Sequence, residues 1–177
     1  MVQDRASQQQ LYDYCYSTLS TAVALYTKDN TEKDWIFNIG MLKVYNSLDK
    51  YQPQTNFLGW ARTILTRTAI DVYRKQKKHY DHLAPLQVED AKTQLTDINA
   101  SLNKLETEDI IKLIQKLPND ERVIFTLFEI EGYSHSEIEK ETGVKKNTSK
   151  WLLSKAKKSL KEMIINSPTL NHYFYGK

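Results

Sequence analysis

The chain has 177 residues, a formal net charge of +3, 40% hydrophobic and 27% charged residues, and a single cysteine. That length fits one domain or two small ones, at roughly 100 to 200 residues per domain, and a lone Cys15 excludes an internal disulfide and leaves too few thiolates for a zinc site. No window reaches the roughly 18 apolar residues of a membrane span, and MVQDRASQQQ lacks the apolar run of a signal peptide, so a cytoplasmic protein without membrane insertion is expected.

Only five glycines and four prolines, with no useful run of alternating apolar and polar residues, predict an all-α fold. Over residues 11–26, Leu11, Tyr12, Cys15, Leu19, Ala22, Val23 and Tyr26 recur at three- and four-residue steps, the period of an amphipathic helix. A second helix is predicted over 31–48, with Trp35, Ile36, Ile39, Leu42, Val44 and Tyr45 as its apolar surface. Residues 49–55, polar and containing Pro53, read as a loop. Phe57, Trp60, Ala61, Ile64, Leu65, Thr68 and Val72 then form a third helical stripe, which leaves Arg62, Arg67 and Arg74 largely outside it. These three helices make one bundle.

The apolar pattern fades over 83–104, which reads as a flexible linker. A second helical domain follows. Leu105, Ile110, Ile111, Leu113 and Ile114 form its first stripe. Pro118 suits the first position of the next helix, where its missing N–H has no partner to lose. Val123, Ile124, Leu127, Phe128 and Ile130 give that helix a buried face, and Gly132 can end it. Ser134 and Glu137 have capping-box spacing, which starts a short helix near His135. Gly143 offers the positive φ of a sharp turn. Over 146–165, Trp151 or Leu152, Leu153, Ala156, Leu160, Met163 and Ile164 form an apolar seam opposite Lys146, Lys150, Lys157 and Lys161. Short helix, glycine turn and longer basic helix spell helix-turn-helix, whose second helix enters the DNA major groove. The bland reading is a helical hairpin with a lysine-rich solvent face; agreement of cap, glycine, spacing and one-sided basicity favours DNA.

Charge is unevenly distributed. Residues 62–78 hold six basic residues against Asp71 alone, 140–161 hold eight lysines against Glu141 alone, and 81–109 hold seven acids against two lysines. Two basic surfaces flanking an acidic middle suit a polyanion held at two places.

Two long segments then match a known family. LPNDERVIFTLFEIEGYSHSEIEKETGVKKNTSKWLLSKAKKSL resembles region 4 of bacterial sigma factors, and DWIFNIGMLKVYNSLDKYQPQTNFLGWARTILTRTAIDVYRKQKK resembles region 2. Their order and short separation resemble the extracytoplasmic-function subfamily of the sigma-70 family. The resemblance implies region 2 over 1–82, a linker over 83–104, region 4 over 105–166 and a tail over 167–177. It implies a factor without a catalytic centre that brings core RNA polymerase, through clamp and flap, to promoter DNA, and that has an anti-sigma factor as a further partner.

By the same resemblance, the −35 contacts fall on Lys145, Lys146, Asn147, Thr148, Lys150, Trp151, Ser154 and Lys155, of which Trp151 fits contact and packing equally. The −10 contacts fall on Gln54, Thr55, Asn56, Trp60, Arg62, Arg67, Arg74 and Lys75, where loop 51–56 meets the separated strand. Gln52 adds to the polar part of that loop, Phe57 fits core better than base contact, and Trp60 fits either. Polymerase contacts fall on Asp34, Asn38, Met41 and Lys43. Asn38 and Ile39 stand where the family often has acidic residues and a glutamine, and Glu139 stands where it usually has alanine.

His79 and His82 form an isolated H-x-x-H with no further ligands nearby, so no metal is expected. No glycine-rich phosphate loop or paired carboxylate suggests a cofactor or acid–base catalysis. A stand-alone helix-turn-helix regulator with an N-terminal sensing or dimerisation bundle is the competing function, and an adaptor that binds only protein is a third.

Overall fold

A computed structural model describes residues 4–81 and 107–166. Among them every regular element is helical, as expected. The chain divides into two compact units, Met1–Lys77 and Lys78–Lys177. The expected linker at 83–104, the tail at 167–177, Leu105 and His82 lie outside the described residues.

The first unit contains α1 (Arg5–Ala24), α2 (Asn30–Tyr45), a 3-10 turn (Leu48–Lys50) and α3 (Phe57–Asp81). α1 begins six residues earlier than its apolar stripe. The Asp4 carboxylate accepts from the N–H groups of Ala6 and Ser7 at 3.2 Å each, so a cap rather than burial fixes that end. α2 is capped in the same way by Asp29, which accepts from Thr31 at 2.7 Å and Glu32 at 3.3 Å. α2 stops at Tyr45, and the expected last turn tightens into the 3-10 turn instead.

The core of this unit is made by Cys15, Leu19 and Val23 from α1, Ile36, Phe37, Met41 and Val44 from α2, and Ala61, Leu65, Ala69, Ile70 and Tyr73 from α3. Tyrosines fasten α1 to α2. Tyr12 and Tyr16 stand edge-on to Phe37, with ring centroids 5.6 and 5.1 Å away. Their hydroxyls donate to Asn38 Oδ1 at 2.6 Å and Asp34 Oδ1 at 2.9 Å, and Tyr45 donates to the Gln8 carbonyl at 2.6 Å. At Gly40, α2 and α3 come close enough that a Cβ would overlap Leu65 Cδ2. Glu32, accepting from Thr27 and from Gln76, ties the start of α2 to α3.

The second unit contains α4 (Thr107–Gln115), α5 (Asn119–Phe125) running into a π-helical segment (Thr126–Ile130), α6 (His135–Thr142) and α7 (Lys146–Ile165). Pro118 sits one place earlier than expected. Its extended ψ of 151° makes it the N-cap of α5, and its carbonyl accepts the first bond, from Arg122 N–H at 2.9 Å. Leu113, Ile114, Val123, Ile124, Phe125, Leu127, Ile138, Leu152, Leu153, Ala156, Leu160 and Ile164 form the core.

Two of the five residues expected on the buried face of α5 leave it. Phe128 is half-buried and Ile130 is 37% exposed. The wider π turn, marked by Glu131 N–H bonding the Thr126 carbonyl at 3.0 Å, rotates these side chains out of the 3.6-residue register. Gly132, with φ of 74°, then reverses the chain. The seam of α7 runs through Leu152, while Trp151 and Met163 are half-buried.

Candidate nucleic-acid interface

The turn between α6 and α7 is built from local hydrogen bonds. Ser134 Oγ accepts from Glu137 N–H at 3.3 Å and Glu137 Oε2 accepts from Ser134 N–H at 2.8 Å, the reciprocal capping box that the spacing predicts. The Ser134 hydroxyl also donates to Glu137 Oε2 at 2.7 Å, and this bond first, then the one from Ser134 N–H, holds the Glu137 carboxyl below the usual carboxylate range. At the other end of α6, Gly143 has φ of 77° and its N–H bonds the Glu139 carbonyl at 2.9 Å. Thr142 Oγ1 donates to the Ile138 carbonyl at 2.7 Å and accepts from Val144 N–H at 3.1 Å, which pins the turn over the buried Val144.

A second clasp joins the two helices directly. His135 Nδ1 lies 2.9 Å from Ser149 Oγ, a fully buried hydroxyl near the start of α7, and the imidazole stacks on Phe128 with centroids 4.4 Å apart. Burial first, then Lys150 and Lys146, press the His135 pKa below its ordinary value. The clasp is therefore held by a neutral ring beside two lysines. The sequence gives no periodic signal for it, because the stack depends on the π turn that carries Phe128 out of register.

Of the residues expected to face the −35 element, Lys145, Lys146, Asn147 and Lys150 are exposed on the first turns of α7 and Thr148 is half-buried beside them. Ser154 is corrected: it is 9% exposed and belongs to the buried residues of α7, unlike its exposed neighbour Lys150. Lys155 is exposed but engaged. Its Nζ lies 3.1 Å from Oε1 of the buried Glu121 and 5.1 Å from the centre of the Trp151 ring. Lys157 is likewise 2.7 Å from Glu129, both largely buried. Glu139 is exposed, so the glutamate at the alanine position turns outward and carries no burial cost.

In the first unit, Gln54, Thr55 and Asn56 are exposed in the loop before α3, Trp60 and Arg62 are half-buried, and Arg67, Arg74 and Lys75 are exposed along α3. Phe57 is half-buried rather than core. Arg74 lies 3.8 Å from Asp71, whose other oxygen is 3.2 Å from Lys43, so the one acid in this basic stretch is shared between two cations.

On α2, Asp34, Asn38 and Lys43 reach the surface, but Met41 has no exposure and is corrected to the core. The sequence places Trp35 and Leu42 among apolar surface without separating two faces. Ile36, Phe37, Met41 and Val44 are buried, whereas Trp35 is 52% and Leu42 60% exposed. Spaced at seven residues with Asn38 and Ile39 between them, the two define an outward apolar stripe. The Tyr16 hydroxyl holds the Asp34 carboxyl beside it below the usual range, with Lys33 adding to the effect.

Among the described residues no group of His, Cys, Asp and Glu is arranged to hold a metal ion, and no helix is long and apolar enough to cross a membrane.

Residues 8–79 match the family model described as Sigma-70 region 2, and residues 107–160 the one described as Sigma-70, region 4. The chain is 27% identical over 123 residues to the RNA polymerase sigma factor CarQ of Myxococcus xanthus, spanning 70% of this chain and 69% of that protein. It is 24% identical over 124 residues to the ECF RNA polymerase sigma factor EcfG of Rhodopseudomonas palustris (strain TIE-1), spanning 70% and 66%. Among solved structures, it is similar to a chain in the co-crystal structure of the sigma factor RpoE with the anti-sigma factor NepR from Bartonella quintana. That likeness has a TM-score of 0.49 and 18% identity, and covers 90% of this chain and 97% of that one.

Proposed function

This chain belongs to the sigma-70 family, in its extracytoplasmic-function subfamily, and from that premise we propose that it directs core RNA polymerase to a class of promoters in the cytoplasm. The observation that carries the reading is the ordered pair of matches: region 2 falls on the first unit and region 4 on the helix-turn-helix of the second. The helix-turn-helix half alone would not separate this function from a free-standing regulator, which needs no region 2.

The division of labour follows from the surfaces. α7 lays Lys145, Lys146, Asn147, Thr148 and Lys150 along the −35 major groove, where Asn147 suits a purine edge and the lysines suit phosphates or guanine. Region 2 meets the opened −10 strand through the loop before α3, with Arg62, Arg67, Arg74 and Lys75 along its phosphates. The α2 stripe of Trp35, Asn38, Ile39 and Leu42, flanked by Asp34 and Lys43, docks on the polymerase clamp. Exposed tryptophan and leucine at helical spacing are the kind of anchors such an interface uses. The factor supplies recognition and leaves the chemistry to the polymerase. An anti-sigma partner belongs to the proposal through family membership.

Reconstitution tests it. The chain, core polymerase and a promoter library from its own host are combined, and open complexes are scored by permanganate reactivity of unpaired thymines. Opening that depends on the chain is expected. Tight sequence-specific duplex binding without polymerase, and no opening with it, would replace this reading with the stand-alone regulator.

A further inference from the structure

The loop before α3 divides its polar residues into two sets. Tyr51 donates its hydroxyl to the Thr55 carbonyl at 2.5 Å. Thr55 in turn makes two bonds to the Gln52 carbonyl, from its N–H at 2.9 Å and its Oγ1 at 2.8 Å. Asn56 accepts from Gly59 N–H at 3.2 Å through its side chain, and from Trp60 N–H at 3.0 Å through its carbonyl, so it caps α3. The Tyr51 ring lies 5.3 Å from both Phe57 and Trp60, which are 5.7 Å from each other. These three half-buried rings form a platform under the turn.

Thr55 and Asn56, which the sequence nominates as base readers, are thus engaged in holding the loop. The carboxamides of Gln52 and Gln54 are exposed and enter none of these bonds. A carboxamide carries donor and acceptor side by side, which is what pairing with the edge of an unstacked base requires.

We propose that Tyr51 is a positioning residue for −10 recognition, holding the 52–55 turn on the Phe57–Trp60 rings so that Gln52 and Gln54, rather than Thr55 and Asn56, meet the unpaired base. The proposal rests on the sigma-factor reading of the loop. The phenolic hydroxyl is its essential atom, because the ring alone would still pack but would leave the Thr55 carbonyl unheld.

The test uses the full chain with core polymerase on a promoter library randomised across the −10 element with the −35 element constant, and sequences the open complexes. Tyr51→Phe is compared with Gln52→Ala, Gln54→Ala and wild type, with melting temperature and core affinity measured alongside. Tyr51→Phe is expected to keep core affinity and a cooperative melt, lowered by about 4–8 °C, and to lower base enrichment roughly threefold to tenfold, the effect of one hydrogen bond of ordinary net strength. That loss should fall at the same −10 position as the loss from the glutamine variants. Thr55→Val, which removes the hydroxyl bond to Gln52 while keeping the side-chain shape, should shift that position too. Unchanged enrichment in both variants, an equal loss at every position, or failure of Tyr51→Phe to fold overturns the proposal. A wild type that opens no member of the library overturns the sigma-factor reading itself, an outcome distinct from a wild type that selects bases while Tyr51→Phe selects them equally well.

Discussion

Lys150 and Lys155 stand five residues apart on α7, and the structure assigns them opposite consequences on removal. The Lys155 ammonium lies 3.1 Å from Glu121, a carboxylate in a residue only 2% exposed, which has Ser159 Oγ at 3.4 Å as its other partner. Stripping one partner from a fully buried ion pair costs about 3–5 kcal/mol, because the remaining charge stays in a poor solvent. The Lys155 side chain is itself 51% exposed and water can reach the vacated side, so Lys155→Ala should cost about 1–2 kcal/mol. In a unit of this size each kcal/mol lowers the melting temperature by about 4–8 °C. Lys150 is exposed, and Lys150→Ala should move stability by less than about 0.5 kcal/mol.

The assay separates stability from binding. Trp151 is the only one of the three tryptophans in the second unit, so a Trp35→Phe, Trp60→Phe background reports that unit's unfolding by fluorescence in urea. Promoter binding by holoenzymes carrying the native tryptophans, measured across a salt series, reads the phosphate contacts. Lys150→Ala should keep its midpoint and reduce the log–log salt slope by about 0.9. Lys155→Ala should lose midpoint, and adding Glu121→Gln should restore part of it by removing the stranded charge. An unchanged midpoint for Lys155→Ala, together with a slope loss equal to that of Lys150→Ala, would show that Lys155 serves DNA and that its bond to Glu121 is incidental.

Other surfaces give sharper single outcomes. Trp35→Ala and Leu42→Ala should leave unfolding of the first unit unchanged yet weaken core polymerase binding about tenfold or more, measured by fluorescence anisotropy of labelled factor. Gly40→Ala should destabilise the first unit on the order of 1 kcal/mol, since crowding of Leu65 at about 1–3 kcal/mol exceeds the gain of about 1 kcal/mol in helix propensity; the second unit's midpoint should stay still. The His135 ring faces Lys146 and Lys150 as well as Phe128 and Ser149, and its pKa is depressed. The unfolded chain therefore takes up a proton first as pH falls through about 6.5, so the second unit loses stability there and levels off once the folded ring is protonated. Denaturation midpoints of wild type against His135→Gln should show that acid loss only with histidine present.

Helical class, the capping box at Ser134, the turn at Gly143 and the span of α7 were legible because each rests on local chemistry: a three-residue spacing, a missing Cβ, a 3.6-residue seam. The start of α1 was less so, since SQQQ has no apolar period and only the Asp4 cap extends the helix through it. Phe128 and Ile130 were misplaced for a definite reason. Periodicity assumes α geometry, and one π turn displaces everything after it. Met41 and Trp35 on α2 show the complementary limit: a helix apolar on two sides gives no periodic clue to which side meets its own domain, and only packing against Tyr12, Tyr16 and Leu65 resolves it.

Charge was harder to read than fold, because a lysine's sequence position says nothing of its partner. Eight lysines over 140–161 would suggest a salt slope near 7 at about 0.9 per phosphate. Lys155 and Lys157 are bound by Glu121 and Glu129, acids that belong to α5 and the π segment more than 25 residues earlier in the chain. Lys158 and Lys161 lie about 12 and 16 Å along the axis from Lys150, at 1.5 Å per residue, away from the end of α7 that would enter a groove. Lys140 on α6 and Lys145, Lys146 and Lys150 remain, which is a contribution of about 3 to 4 rather than 7. The same economy appears in the first unit, where Thr55 and Asn56 hold the loop that displays Gln52 and Gln54. In both units, the residues engaged in building the surface are interleaved with the ones it presents, and only partners distant in sequence tell them apart.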